Sequence, residues 1–186
     1  MRDIELNEVR DCITWYNALS SSYDELYGEE QRIKYKKILK HLRKDLGAVL
    51  DVGCGTATLL EYLMDSGYRV LRYTCIDVSD KIIEIASKKF ISNGYGTVLT
   101  DFIVADLTFP PFRVGNLFDL ITMITVLREN YNVSNIINNY LDKVKEEGYL
   151  VYTVIRKGLR SDELRYEEFF IVNNSGKSLE TQCISN

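Results

Sequence analysis

Between residues 47 and 157, short runs of aliphatic and β-branched residues alternate with stretches whose apolar positions recur at helical spacing. That alternation predicts a parallel sheet covered by helices, an α/β fold. The first buried strand is read at 48–52, and a helix follows over 56–66 with Leu59, Leu60 and Leu63 on one side and Gly67 as its stop. A second strand spans 69–77, and the next helix starts from an N-cap at Ser79 and turns Ile82, Ile83, Ala86 and Phe90 toward the sheet. Two further buried strands are expected at 101–105 and 118–126. The helix carrying Ile136, Ile137, Tyr140, Leu141 and Val144 is expected to end at Gly148 and to return the chain to a fifth strand at 149–155. Beyond it, 166–172 and 179–184 flank Asn173-Asn174-Ser175-Gly176 and read as an antiparallel hairpin at the sheet edge.

Ahead of the sheet, 9–46 is mainly helical, with Ile38, Leu39, Leu42 and Leu46 as an apolar stripe. Lys36, Lys37, Lys40, Arg43 and Lys44 lie on the opposite face, which reads as a solvated charged face or an RNA-binding one. The expected organisation is one domain over 1–186: a helical cap at 1–46, an α/β core at 47–157 and a closing edge at 158–186. A chain of 186 residues, 46% hydrophobic and 27% charged, suits a single globular domain. Its formal charge of −4 gives no overall field for nucleic-acid backbones. No apolar run reaches the roughly 18 residues of a membrane span, and the first residues lack the order of a secretory signal, so the expected location is cytoplasmic. Cys12, Cys54, Cys75 and Cys183 are too scattered for a zinc knuckle or a redox pair and are expected as reduced thiols.

In an open α/β sheet, ligands bind at the carboxyl ends of the strands near the point where strand order reverses. The loop after the first strand reads Asp51-Val52-Gly53-Cys54-Gly55-Thr56-Ala57, with glycines where the backbone turns tightly against a ligand. Two ligands compete for it. A dinucleotide pyrophosphate needs bare amides and is repelled by a carboxylate, whereas the methionine end of S-adenosylmethionine carries an ammonium and a sulfonium and is attracted by one. Asp51 stands two residues before Gly53, and the last fingerprint position, glycine or alanine in dinucleotide binders, is Thr58. Both details favour the sulfonium. Asp77 ends the second strand 24 residues after Gly53, near the offset of about 20 at which an acid accepts from a ribose. Asp106 follows the third strand, where it can accept from adenine while Leu107 or Ile76 packs on the ring.

With these residues quoted, Val49-Leu50-Asp51-Val52-Gly53-Cys54-Gly55-Thr56, Cys75-Ile76-Asp77-Val78-Ser79, Val104-Ala105-Asp106-Leu107 and Phe118-Asp119-Leu120-Ile121 resemble the ordered motifs of class I S-adenosylmethionine-dependent methyltransferases, over about residues 23–155. The resemblance implies a Rossmann-like sheet of seven strands with its last strand inserted antiparallel. It also implies that Asp51, Gly53, Cys54 and Gly55 lie at the methionine end, Asp77 and Val78 at the ribose, Asp106 and Leu107 at the adenine, and the backbone of Thr125 near the ammonium group. The aromatic lead-in, with Tyr16, Tyr23 and Tyr27, resembles that of ubiquinone-type methyltransferases and implies a cover over the cofactor. Two positions depart from the pattern. Ala57 stands where a third glycine is common, and Thr125-Val126-Leu127-Arg128-Glu129-Asn130 replaces the Asn-Pro-Pro-Tyr type of sequence used in amino-directed adenine methylation.

Methyl transfer from a sulfonium needs alignment and exclusion of water rather than a metal. Arg128, Glu129 and Asn130, beyond the fourth strand, are the candidates for orienting the acceptor, which is an RNA, a protein or a small molecule. His41, the only histidine, lies among lysines and is read as a solvated residue. The rival readings are a cofactor-binding scaffold that lacks activity of its own and a nucleotide-dependent dehydrogenase.

Overall fold

The computed structural model describes residues 2–113, 115, 117–156, 166–174 and 178–185. Helix α1 (Arg2–Leu19) and a single 3-10 turn (Ser20–Ser22) lead into α2 (Tyr23–Leu39). The chain then runs β1 (Asp45–Val52), α3 (Thr58–Asp65), β2 (Arg69–Asp77), α4 (Asp80–Ser92), β3 (Leu99–Val104), β4 (Phe118–Arg128), α5 (Val133–Leu141), β5 (Val144–Arg156), β6 (Tyr166–Asn173) and β7 (Ser178–Ser185). These strands form one seven-stranded sheet in the order β3-β2-β1-β4-β5-β6-β7. The first five strands pair in parallel. Strand order reverses between β1 and β4, so the sheet's ligand crevice opens there.

Successive residues of β1 feed opposite cores. Val49 joins the cluster under α2, α3 and α4, while Leu50 and Val52 join the one under α5. Burial on both faces is why β1 and β4 read as continuous apolar runs, whereas β3, expected as a buried strand, lies at the sheet edge with no fully buried residue. Ser79 caps α4, as its sequence position predicts, by accepting from the Ile82 N–H at 3.1 Å.

Three further expectations change. First, α5 ends at Leu141 and β5 is already under way at Val144, so Gly148 lies inside a strand instead of stopping a helix. A Cβ there would come within 2.9 Å of the Asp119 carbonyl oxygen and 3.0 Å of that of Phe118. The glycine is therefore required by close backbone packing at a register shift between β4 and β5. Second, the antiparallel neighbour of β5 is β6, and the last strand, β7, lies outside it instead of being inserted. Only residues 157–165 separate β5 from β6, too few for the dozen or more that a parallel crossover takes. Third, Cys54 and Cys75 are joined by a disulfide, against the expectation of reduced thiols, while Cys12 is free. They are 21 residues apart in sequence, but Asp51 is in register with Cys75, and the loop after β1 folds back over the end of β2. The side chain of Cys183 lies outside the described residues. Among the described residues, no helix is long and apolar enough to cross a membrane.

Candidate cofactor site

The loop after β1 is held to the end of β2 by main-chain bonds beside the Cys54–Cys75 disulfide. The N–H groups of Gly53 and Cys54 both donate to the Ile76 carbonyl, at 2.8 and 3.1 Å. Gly53, Gly55 and Ala57 all have positive φ, of 69°, 54° and 61°. This winding keeps Ala57 out of the helix predicted from residue 56, so α3 starts at Thr58. At Gly53 an added Cβ would lie 2.6 Å from a methyl of Val126. At Gly55 it would lie 2.9 Å from the phenol oxygen of Tyr23. Both glycines are thus needed for backbone shape and for close approach.

Asp77 stands across this loop, its Oδ2 accepting from the Gly55 N–H at 3.1 Å and its Oδ1 from the Ser79 N–H at 2.9 Å. Burial pushes its carboxyl above the usual range, and the amides of Ser79, Gly55 and Val78 oppose that shift. The hydrogen bonds from Gly55 and Ser79 leave a lone pair on each oxygen, since a carboxylate has about four acceptor positions. A pair of neighbouring hydroxyls fits what remains. Asp51 lies one layer deeper, 4% exposed, taking the Tyr73 hydroxyl at 2.5 Å and that of Thr122 at 2.7 Å. Desolvation dominates and pushes its carboxyl up to about 6, against the lowering effect of those two bonds. The direct bonds of Asp51 are thus spent inside the core, and its charge reaches the Tyr23 and Tyr35 phenols.

At the end of β3, Asp106 Oδ1 accepts from both the N–H and the hydroxyl of Thr108, each at 2.8 Å, a local turn that fixes its rotamer. Leu107 packs against the core under α5, and its carbonyl takes the Tyr140 hydroxyl at 2.9 Å. Helix α1 lies over these strand ends. Asn17 donates to Asp80 and accepts from Ser79. Burial raises both the Cys12 thiol and the Tyr16 phenol, the latter to about 12, and the charge of Asp77 adds to each shift. The rings of Tyr16, Tyr23 and Tyr27 follow one another with centroids 6.1 and 5.2 Å apart.

The acceptor-side candidates separate. Arg128 lies within electrostatic reach of Cys12 and Tyr16. Glu129 instead borders a hollow of about 340 Å³ beside Tyr131, Asn132, Arg156 and the stacked pair Tyr152 and Phe170. Asn130 is exposed. Thr125, with a positive φ of 62°, gives its N–H to the Thr153 hydroxyl at 2.7 Å and belongs to a second polar cluster that sequence reasoning missed. There Lys34 and Glu167, each about 2% exposed, pair at 2.6 Å, and Glu167 also accepts from Thr153. A signal for them was present. Lys34 is in phase with the apolar Ile38 and Leu42, and Glu167 with Phe169 and Ile171, so a cation and an acid each stand on a buried face.

Residues 50–152 match the family model described as a methyltransferase domain. The chain is 27% identical over 141 residues to an uncharacterised protein of Methanocaldococcus jannaschii, covering 75% of this chain and 50% of that protein. It is 27% identical over 113 residues to the ubiquinone biosynthesis O-methyltransferase of Shewanella halifaxensis, covering 61% and 45%. The chain thus spans about half the length of these two relatives. Among solved structures it is similar to the cyclase SpnF, with a TM-score of 0.67 at 21% identity over 82% of this chain and 62% of that one. A SAM-dependent methyltransferase of Leishmania major gives 0.63 at 12% identity, over 79% and 61%. At such identities the likeness is one of fold.

Proposed function

The chain belongs to the methyltransferase domain family, and we propose that it moves a methyl group from S-adenosylmethionine to a nucleophilic acceptor at the carboxyl edge of its sheet. The observation that carries this reading is Asp77, clamped by the Gly55 and Ser79 amides with lone pairs to spare, facing a positive-φ loop beside the strand-order reversal. Such a carboxylate suits the two hydroxyls of a ribose, and a pyrophosphate would meet it as a like charge. When bound, the cofactor supplies an electrophilic methyl group on sulfur, which asks of the protein alignment and dryness.

The residues of this chain supply both. The glycine loop presents main chain without Cβ atoms in the way. Asp77 and Val78 hold the ribose, and Asp106 with Leu107 meets the adenine. Tyr16, Tyr23 and Tyr27, together with α1, keep water from the reacting atoms. The acceptor would enter beyond β4, past Arg128, Glu129 and Asn130. It is an RNA, a protein or a small molecule, and the hollow beside Glu129 falls in the lower part of the size range of small-molecule sites, about 300–1,000 Å³.

Calorimetric titration with S-adenosylhomocysteine and, separately, with NAD tests the reading. Micromolar uptake of the first and none of the second is expected, and the reverse overturns it. Asp77→Asn should lower the affinity for S-adenosylhomocysteine by about 10- to 100-fold, the size of a lost bond to a charged group. Unchanged affinity in that variant would remove the observation on which the reading stands. Labelled S-adenosylmethionine with cell extract then identifies the acceptor by the fraction, RNA, protein or small molecule, that takes up the label.

A further inference from the structure

Gln31 on α2 is 8% exposed, and its Oε1 is the one buried side-chain polar atom among the described residues without a hydrogen-bond partner. Leaving such an acceptor dry and unpaired costs about 1–3 kcal/mol, so its retention points to a group that arrives from outside. The Thr125 hydroxyl at the centre of the cluster is saturated. The Thr125 hydroxyl oxygen accepts from Gln31 Nε2 and from Lys34 Nζ, both at 3.1 Å, and lies 3.5 Å from Glu167 Oε2, to which it gives its proton. A hydroxyl has one proton and two lone pairs, so this arrangement uses all three and leaves Gln31 Oε1 without a donor from Thr125.

Its place on α2 sets Gln31 on the face that meets the strand-end loop. Tyr23, Tyr27, Gln31 and Tyr35 recur every four residues and share one stripe of α2. Tyr23 lies on Gly55, and Tyr35 feels the charge of Asp51, so Gln31 falls between them along the seam of β1 and β4. Its partner Thr125 precedes Val126, whose methyl groups touch Gly53. The charge is also one-sided. Lys34 is flanked by two carboxylates, Glu30 and Glu167, each at 2.6 Å. The cluster therefore holds one negative charge in excess, which favours a cationic donor over a neutral or anionic group.

We propose that Gln31 Oε1 accepts a hydrogen bond from the α-ammonium group of the cofactor's amino-acid end. The proposal rests on the reading of the site given above and names for it a side chain from outside the glycine loop and the strand-end carboxylates. It is tested in the full chain with three ligands: S-adenosylhomocysteine, its analogue lacking only the α-amino group, and its analogue lacking only the α-carboxylate. Their affinities are measured by calorimetry on the wild type, Gln31→Met and Gln31→Glu. Gln31→Met keeps the side-chain length without the amide, and Gln31→Glu keeps an acceptor oxygen. Gln31→Met should weaken both ligands that carry the amino group by about tenfold and leave the desamino analogue within twofold. Gln31→Glu should bind S-adenosylhomocysteine within about threefold of the wild type. Equal weakening of all three ligands would mean that Gln31 only supports the fold, and a loss confined to the ligands bearing a carboxylate would reverse the assignment. Either result, or no weakening at all, overturns the proposal while the cofactor reading stands. A wild type that ignores all three ligands removes both.

Discussion

Asp77 and Glu167 both stand at the carboxyl edge of the sheet, with three strands between theirs, and they are held in different ways. Main-chain N–H groups of Gly55 and Ser79 hold Asp77. Side chains hold Glu167: the Lys34 ammonium and the hydroxyls of Thr153 and Thr125. A carboxylate fixed by backbone keeps its place as long as the loop keeps its winding. One fixed by side chains depends on α2, β4 and β5 all presenting the right residue, so a single substitution leaves buried charge unpaired. The first arrangement leaves capacity for a ligand, and the second spends its capacity inside the protein.

The largest effect is expected where that dependence is greatest. Lys34→Met removes the cation and leaves Glu167 about 2% exposed with only hydroxyl donors. Breaking one partner of a buried pair costs about 3–5 kcal/mol, measurable as a shift of the urea midpoint. Lys34→Met combined with Glu167→Leu should recover most of that loss, because the uncompensated charge is then gone. A double variant no more stable than the single one would show that the two halves of the edge do not differ as described.

The contrast also explains what could be read in advance. The loop of Gly53 and Gly55, Asp77 at its offset and the Ser79 cap are written in short stretches whose meaning depends on neighbours close in sequence. The Lys34 cluster spans residues 91, 94 and 42 apart. Lys34 and Glu167 each stand as a charged residue on an otherwise apolar face, and only their pairing gives them sense. The disulfide was hidden for the same reason, since parallel register and not spacing brings Cys54 to Cys75. Gly148 was misread because a glycine that admits a neighbouring backbone and one that ends a helix look alike until the neighbour is known. The place of β7 was missed because the resemblance supplied a strand order, whereas the short connection between β5 and β6 decides it.

Asp51 sharpens the comparison, being held by side chains, Tyr73 and Thr122, but with no cation bound to it in the way that Lys34 is bound to Glu167. Burial raises its carboxyl from the ordinary 3.8 to about 6, so the folded chain keeps a proton that the unfolded chain has already released between those values. The unfolded state binds fewer protons in that window, and stability therefore falls as pH rises through it. Asp51→Asn cannot titrate there. Between pH 4 and pH 7 the wild type should lose about 2 kcal/mol relative to the variant, read from urea melts at four pH values. A difference that stays flat, or that moves in favour of the wild type as pH rises, would show that its hydroxyl partners outweigh burial.

The smallest effect sets one helix cap against another. Ser79 accepts from the Ile82 N–H and gives its proton to Asn17 on α1, whereas the Asn132 side chain caps α5 by accepting from Asn135 at 3.2 Å on an exposed surface. Ser79→Ala and Asn132→Ala should each cost about 1 kcal/mol, the usual worth of a cap. Only the first should also free α1, because it removes the hydroxyl that ties that helix to the edge beside Asp77. Amide exchange followed by mass spectrometry separates them: protection within 2–19 should fall in Ser79→Ala and stay at the wild-type level in Asn132→Ala. Equal protection of α1 in both variants would mean that its aromatic contact, Tyr16 against Tyr23, holds the cover without help from the cap.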